Sequence, residues 1–182
     1  MSILAKVSSH ADVIIATASF FVAAASWIVS YQTLKIQHKH NVLSVKPIPQ
    51  FSIGDYENEL FVKLKNYGIG PLIVEKFVAE MENGELKSKI IDALPTALRQ
   101  QVRWETFTGV VDGYALAPEK EFVLLKASFD VGSTPIHNSL RSELSKLQLK
   151  VEVKDIYGNL QPIYEKSLDW FARTLNQPLV RG

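Results

Sequence analysis

The sequence predicts a mainly β protein, in which a single N-terminal transmembrane helix precedes an immunoglobulin-like β-sandwich with one or two short inserted helices. Three observations predict this fold. An uncharged apolar run fills residues 13–31, alternating apolar and polar segments begin at residue 47, and turns rich in Gly, Pro, Asn and Asp separate those segments. Short strands joined by such turns are typical of a sandwich.

The apolar run, VIIATASFFVAAASWIVSY, contains nineteen residues and no formal charge. At about 1.5 Å per residue, a helix of this length just crosses a hydrocarbon core of about 30 Å. The predicted domain organisation is then a short N-terminal tail (1–12), the transmembrane helix with its cytoplasmic extension (13–35), a basic juxtamembrane linker (36–46) and the β-sandwich domain (47–182).

Two other interpretations of the apolar run remain open, a cleaved signal peptide and a buried core helix. Ala23-Ala24-Ala25 resembles a cleavage site, but the run continues past it to Val29, and Lys6 is the only basic residue before it, apart from His10. A core helix of a globular protein usually has an amphipathic break, and the run has none. The pattern therefore favours a permanent span.

Basic residues flank the span unequally, with Lys35, Lys39 and Lys46 after it and Lys6 before it. Loops rich in Lys and Arg stay on the cytoplasmic side, so we expect the N-terminus outside and the domain in the cytoplasm. Aromatic residues and lysines often mark a membrane interface. The predicted interface residues are Trp27, Tyr31, Lys35 and Lys39.

Small residues recur along one face of the span at spacings of three and four. Such a stripe lets two helix backbones approach each other closely in lipid. It predicts a homo-oligomer that associates through the span, although nearly half of the run is Ala, Ser or Thr and the stripe can also arise by chance. The stripe consists of Ala16, Ser19, Ala23, Ser26 and Ser30.

Period-two alternation predicts six strands in the domain. They cover residues 48–53, 60–65, 72–81, 122–127, 147–154 and 160–170. Ser133-Thr134-Pro135 predicts the start of a helix with a hydroxyl cap, and its apolar face carries Ile136, Leu140, Leu144 and Leu147. Residues 91–104 form a second, weaker helical segment, since Pro95 lies inside it.

Aromatic and basic residues near the early strands form a possible ligand face, since aromatic rings can stack on a ligand and lysines can attract an anionic one. The ordinary alternative is that aromatic side chains fill the strands while lysines keep the outer faces solvated. The predicted face consists of Tyr56, Phe61, Lys63, Lys65, Tyr67 and Lys76.

Composition and motifs exclude several functions. The chain has no cysteine, so thiol catalysis, disulfides and thiolate metal sites are excluded. Its net charge of +1 does not predict a basic face for duplex nucleic acid. Gly68 and Gly70 form a G-x-G without the third glycine and helix of a dinucleotide site, which predicts a turn.

Titratable residues suggest no catalytic, cofactor or metal site. His38 and His40 form an H-x-H pair without a third ligand, and a basic collar near lipid headgroups is the simpler interpretation. His137 is expected to be a polar surface residue. The acidic residues mostly fall in turns or caps, where Asp binds backbone N–H groups; they include Asp55, Asp92, Asp112, Asp130 and Asp155.

Two segments resemble a known group of proteins. They are KHNVLSVKP (residues 39–47) and LKNYGIGPLIV (residues 64–74), which follow a single span in that order. Over its first 75 to 80 residues the chain resembles small bacterial single-span inner-membrane proteins of no assigned function. The resemblance implies a bacterial inner-membrane location and this topology, and it brings no catalytic residues.

The sequence therefore predicts a membrane-anchored, non-enzymatic cytoplasmic module that binds a partner protein or small ligand. The alternative is a signal-gated membrane effector of bacterial antiphage defence, in which the sandwich senses a nucleotide second messenger and clustered spans disrupt the membrane. A third hypothesis is a hydrolase whose site is built from scattered loop acids.

Overall fold

A computed structural model describes residues 3–130 and 133–174 and begins with one long helix, α1 (Ile3–Ser44). The helix continues through most of the segment predicted as a linker, because no Gly or Pro interrupts residues 3–44 and extending a helix is easier than starting one. Pro47 disfavours a helical conformation at Lys46 and so ends it. Residues 15–44 of α1 are long and apolar enough to cross a membrane.

The chain forms two compact units, residues 1–44 and 45–182. The second unit contains two antiparallel sheets. Sheet A has the strand order β1-β2-β7-β5. Its strands are β1 (Pro49–Asp55), β2 (Glu59–Asn66), β5 (Arg103–Phe107) and β7 (Glu121–Ser128).

Sheet B has the strand order β4-β3-β8-β9, and the short strand β6 (Ala115–Leu116) pairs with the beginning of β3. The other strands of this sheet are β3 (Leu72–Glu80), β4 (Leu86–Lys87), β8 (Gln148–Lys154) and β9 (Tyr164–Ser167). All five predicted early and central strands are present with shifts of one or two residues at their ends.

Alternation along each strand buries one face of each sheet in a common core. In β2, for example, Leu60, Val62 and Leu64 are fully buried. Phe51 of β1 contacts Phe77 of β3 with ring centroids 6.1 Å apart and Tyr164 of β9 at 5.6 Å. These contacts join the two sheets as the layers of a sandwich.

In the described part of the domain, two α-helices and one 3₁₀ helix interrupt the strands, and a second 3₁₀ helix follows β9. They are a 3₁₀ turn (Ile90–Ala93), α2 (Thr96–Gln101), α3 (Thr134–Leu144) and a second 3₁₀ turn (Asp169–Thr174). The predicted helix after Ser133 is confirmed, with Leu140 and Leu144 fully buried. Ser133 makes no side-chain cap hydrogen bond, however, so the predicted hydroxyl cap is wrong.

Two segments differ from the prediction for reasons that involve proline. Residues 91–104 split at Pro95, which precedes α2, and Arg103 and Trp104 already belong to β5. The predicted strand at residues 160–170 shrinks to β9, because Pro162 has no N–H to donate to a ladder. Before it, Leu160 forms only an isolated bridge to Lys154.

Candidate functional site

The predicted interface residues of the span lie on one stripe of α1, because they are spaced four residues apart. The rings of Trp27 and Tyr31 stack with centroids 6.1 Å apart and an interplanar angle of 16°. Lys35 places its Nζ 5.2 Å from the Tyr31 ring centroid. Lys39 continues the same stripe one turn further. The arrangement pairs an aromatic belt with cations that can reach headgroups.

The predicted self-association stripe lies on the same helix, and its five residues are exposed in the single chain. The Ser26 hydroxyl donates to the carbonyl of Val22 at 2.8 Å, so it is already satisfied within its own helix. Ser26 therefore does not need a hydrogen-bond partner on another helix, and contact along this stripe would come from the close approach of small residues.

The structure brings five of the six predicted ligand-face residues to the outer side of sheet A and its adjoining loops. Phe61, Lys63 and Lys65 project from the outer face of β2, while Tyr56 and Tyr67 lie in the loops at the two ends of that face. Lys76 is on β3, where it pairs with Glu152 in sheet B, so it lies apart from the other five.

Aromatic contacts at each end of β2 form two separate groups. Tyr56 and Phe61 have ring centroids 6.1 Å apart, and the Nζ of Lys63 is 4.6 Å from the Phe61 centroid. Lys65 places its Nζ 4.5 Å from the Tyr67 centroid. The Phe61 ring also covers Gly54 of β1, because any side chain at residue 54 would collide with it.

Ion pairs neutralise most of the positive charge on this face. Lys63 binds Glu121 at 2.7 Å, and Lys126 binds Glu59 at 3.0 Å and Glu105 at 2.8 Å. Hydrogen bonding to Lys126 holds the pKa of Glu105 below its usual range, and the same contact raises the pKa of Lys126. An anionic ligand would therefore compete with these glutamates for the lysines.

A second candidate region is the junction where the leading segment of the domain, Val45–Ile48, meets the loop between β2 and β3. Asn66 is fully buried there. Its Nδ2 donates to the carbonyls of Gly70 (2.8 Å) and Leu116 (3.1 Å), and its Oδ1 accepts from the N–H groups of Ile48 (3.2 Å) and Gly68 (2.9 Å). One amide side chain thus ties together three segments of the backbone.

Glycines allow the two backbones at this junction to touch. A Cβ on Gly68 would press on the backbone of residues 46–48, and one on Gly70 would overlap the carbonyl of Val45. The N–H of Tyr67 donates to the carbonyl of Ile48 at 2.9 Å. The predicted turn at the G-x-G therefore has a specific role, which is close packing against the leading segment. Both segments of the sequence resemblance contribute to this junction.

Exposed apolar side chains concentrate at the same end of the domain, where β1 begins, β2 and β8 end and β3 begins. We call this surface the proximal pole. Ile69 is 78% exposed and Leu160 is 66% exposed. The proximal pole consists of Ile48, Tyr67, Ile69, Ile156, Tyr157 and Leu160, each of which is about half exposed or more.

Next to the proximal pole, Asp155 organises the turn that carries Ile156 and Tyr157. Its Oδ1 accepts from the N–H groups of Tyr157 (2.8 Å) and Asn159 (2.9 Å), and its Oδ2 accepts from Nδ2 of Asn159 at 2.9 Å. Burial by itself raises the pKa of the Asp155 carboxyl. The hydrogen bonds from Asn159 and Tyr157 outweigh burial, so the pKa lies below its ordinary value.

A charged cluster that no sequence pattern indicates lies at the opposite end of the sandwich. The Asp55 side chain is fully buried, with its Oδ1 2.8 Å from Nε2 of His137 and its Oδ2 accepting from Nε of Arg141 at 2.8 Å. Arg173 lies 3.8 Å from the same Oδ2. The His137 ring stacks on Phe129 with centroids 4.1 Å apart.

This cluster corrects the expectation that His137 is a polar surface residue, since it is only 9% exposed. It also separates Asp55 from the other turn aspartates, because its partners are side chains 82 and 86 residues away. The cluster joins β1 to α3 and to the last 3₁₀ turn, and its role is therefore to hold these elements of the fold together. No sequence pattern links residues this far apart in the chain, so the sequence carried no signal for the Asp55 cluster.

A cavity of about 420 Å³ opens beside this cluster, lined by Asn58, Glu59, Glu105, Ser128, Phe129 and Asp130. Two of its acids, Glu59 and Glu105, already bind Lys126. Within the described ranges 3–130 and 133–174, no group of three or more His, Asp or Glu residues is arranged to hold a metal ion. Comparison of the chain with known protein families, curated proteins and solved structures finds no match.

Proposed function

We propose that this chain is a membrane-anchored, non-enzymatic binding module whose domain lies in the cytoplasm of a bacterium and whose span mediates self-association. The observation that carries the proposal is the helical segment 15–44, which is long and apolar enough to span a membrane and is not buried among the residues that the structure describes. An unburied apolar helix of this length is stable only with its side chains in lipid or against a partner.

The proposed sandwich is immunoglobulin-like, and its strand order supports this assignment. The order β1-β2-β7-β5 follows the A-B-E-D sheet of immunoglobulin domains, and β3-β8-β9 follows their C-F-G sheet, with β4 as an added edge strand. In this scheme α3 occupies the connection between β7 and β8, which correspond to strands E and F. Because such sandwiches serve many functions, the topology alone does not identify a ligand.

The polar clusters support binding rather than catalysis. A hydrolase needs a base or nucleophile that a substrate can reach. Asp55 uses both carboxylate oxygens to bind His137 and Arg141, and Asp155 uses both of its oxygens within one turn. These acids therefore serve the fold, which weakens the hypothesis of a hydrolase built from loop acids.

Membrane fractionation tests the anchor. The full chain is expected in the membrane fraction after a carbonate wash, and a variant that lacks residues 1–36 is expected to be soluble with its domain intact. Recovery of the full chain in the soluble fraction would contradict the proposal. Recovery of a soluble protein that N-terminal sequencing shows to have lost its first 25 residues would instead favour the signal-peptide interpretation.

A gated membrane effector is the second candidate, and the junction around Asn66 favours it. A sensor domain can change the state of its span only if the connection between them transmits movement. Hydrogen bonds at Ile48 and Tyr67 hold the leading segment firmly against the domain. The paired lysines of sheet A argue against a strongly anionic messenger. If expression of the full chain with candidate cyclic nucleotides never depolarises cells, this second proposal fails.

A further inference from the structure

We propose that the proximal pole docks on a lipid surface, with its apolar side chains at the boundary between headgroups and acyl chains. This inference rests on the proposed membrane anchor and adds a second contact between the chain and the bilayer. The partner is the lipid itself, and the contact surface is formed by loops of the domain.

The first observation that supports this contact is the distribution of exposed apolar side chains over the domain. Six large ones lie on the loops of the proximal pole, whereas the opposite end exposes Tyr56, Leu86 and, at 37%, Trp170. Four others are exposed elsewhere on the domain, and they are Phe107, Val110, Tyr114 and Ile163. Trp170 is covered by the guanidinium of Arg173, which lies 3.0 Å from its ring centroid. Contiguous apolar patches on one side of a soluble domain usually mark a contact surface.

The chemistry of the pole suits a bilayer interface. Ile48, Ile69 and Leu160 offer branched apolar tips, while Tyr67 and Tyr157 combine an apolar ring with a polar end, as residues of aromatic belts do. A protein partner would need a matching pocket for each side chain, whereas a fluid lipid layer accepts an irregular set of loop tips.

Basic side chains flank this apolar surface. Lys46 precedes Ile48, Lys65 lies 4.5 Å from the Tyr67 ring, and the carbonyl of Lys120 accepts from the N–H of Asn66 at 3.0 Å. Glu119 is an exposed acid in the same loop as Lys120, and Asp155 is buried. The excess of lysine favours anionic headgroups.

The chain enters the domain at this pole, because the leading segment Val45–Ile48 packs against the loop between β2 and β3. Lys39, the last predicted interface residue, precedes Val45 by six residues, or about 9 Å along a helix. A connection of this length keeps the loops of the pole within reach of the headgroups beside the span.

Site-specific labelling of the full chain tests the contact, and the absence of native cysteine makes single-cysteine variants straightforward. Ile69→Cys and Leu160→Cys report on the proximal pole at two independent loops, and Tyr56→Cys is the matched control at the opposite end, where the side chain is similarly exposed. Each variant is labelled with an environment-sensitive fluorophore in vesicles of phosphatidylethanolamine and phosphatidylglycerol, with and without brominated acyl chains.

We expect brominated lipid to cause a clear loss of fluorescence at positions 69 and 160 and none at position 56. Flotation of the same vesicles tests the anchor separately. If the chain floats but neither pole position is quenched, the docking proposal is overturned and the anchor stands; if the chain does not float, the proposed function fails. The spectrum of the label at position 69 could also shift with the amount of protein per vesicle while brominated lipid does not quench it. That result would indicate contact between copies of the chain and would overturn the docking proposal.

Discussion

Gly70 lies where two stretches of backbone meet, and its missing side chain is what allows the contact. Gly70→Ala would force a methyl group into the carbonyl of Val45, whereas a methyl group on Gly109 meets nothing within 4 Å. We expect Gly70→Ala to lower the free energy of unfolding by about 1–3 kcal/mol, the usual range for overpacking. Urea unfolding in detergent, followed by tryptophan fluorescence, measures this.

Gly109→Ala is the matched control and is expected to change the free energy of unfolding by less than about 1 kcal/mol, since it only restricts the unfolded chain. Equal stability of the two variants would show that the backbone contact at Val45 is not tight in solution.

Asp55 is a buried carboxylate whose partners all carry, or can carry, positive charge. Asp55→Ala leaves Arg141 and His137 without their shared acceptor inside the fold. We expect a loss of about 3–5 kcal/mol in the free energy of unfolding, because breaking a buried ion pair strands a charge. The same urea titration measures it.

The exposed pair between Lys63 and Glu121 provides the comparison. Glu121→Ala is expected to cost no more than about 1 kcal/mol, because water screens that pair. If both alanine variants unfold at the same urea concentration, the Asp55 cluster does not stabilise the fold as its geometry indicates.

Asp155 makes stability depend on pH in a direction that follows from its lowered pKa. A carboxyl with a lower pKa in the folded state contributes stability that is complete above its unfolded pKa of about 4 and is lost as the pH falls through the folded value. We expect wild type to lose more stability than Asp155→Asn between about pH 5 and pH 2. Parallel losses in both proteins would contradict this, as measured by thermal unfolding.

At the scale of the element, the two faces of α1 differ in the size of their side chains. Ser19→Leu with Ala23→Leu places bulk on the small-residue stripe, and Ala18→Leu with Ala25→Leu places the same bulk on the opposite face. We expect the first pair to reduce crosslinked oligomers and the second to leave them unchanged, since close backbone approach needs small residues. Equal crosslinking in both would remove the stripe as the interface.

Strands and helices of the domain follow local patterns closely, and the exceptions have a local cause. β2 and β8 were predictable because strict alternation along seven or eight residues specifies one buried face. β9 is shorter than the predicted strand because Pro162 has no N–H to donate to a ladder. β5 gives no strand pattern because its five residues, RWETF, are mostly exposed and lack alternation.

At the scale of the whole molecule, orientation rests on three lysines after the span and one before it. We expect a reporter that is active only in the cytoplasm to work when fused to the C-terminus and to fail when fused to the N-terminus. An external C-terminus would reverse the topology and would place the domain outside the cytoplasm.

The candidate sites were predictable only where they depend on one stretch of chain. Trp27, Tyr31 and Lys35 could be assigned together because a helix repeats its faces every few residues. The outer face of β2 could be foreseen for the same reason. Lys76 could not be separated from that face, because only the pairing of β3 with β8 shows that it belongs to the other sheet.

Neighbouring residues are enough to predict that an apolar helix leads into an antiparallel β domain, because helix length and strand alternation are local patterns. The contacts by which Asn66, Gly68 and Gly70 hold the leading segment, and those between Asp55, His137 and Arg141, are visible only in the folded domain. They join residues that are far apart in the chain. Their geometry depends on how strands pair and layers pack, which no local pattern specifies.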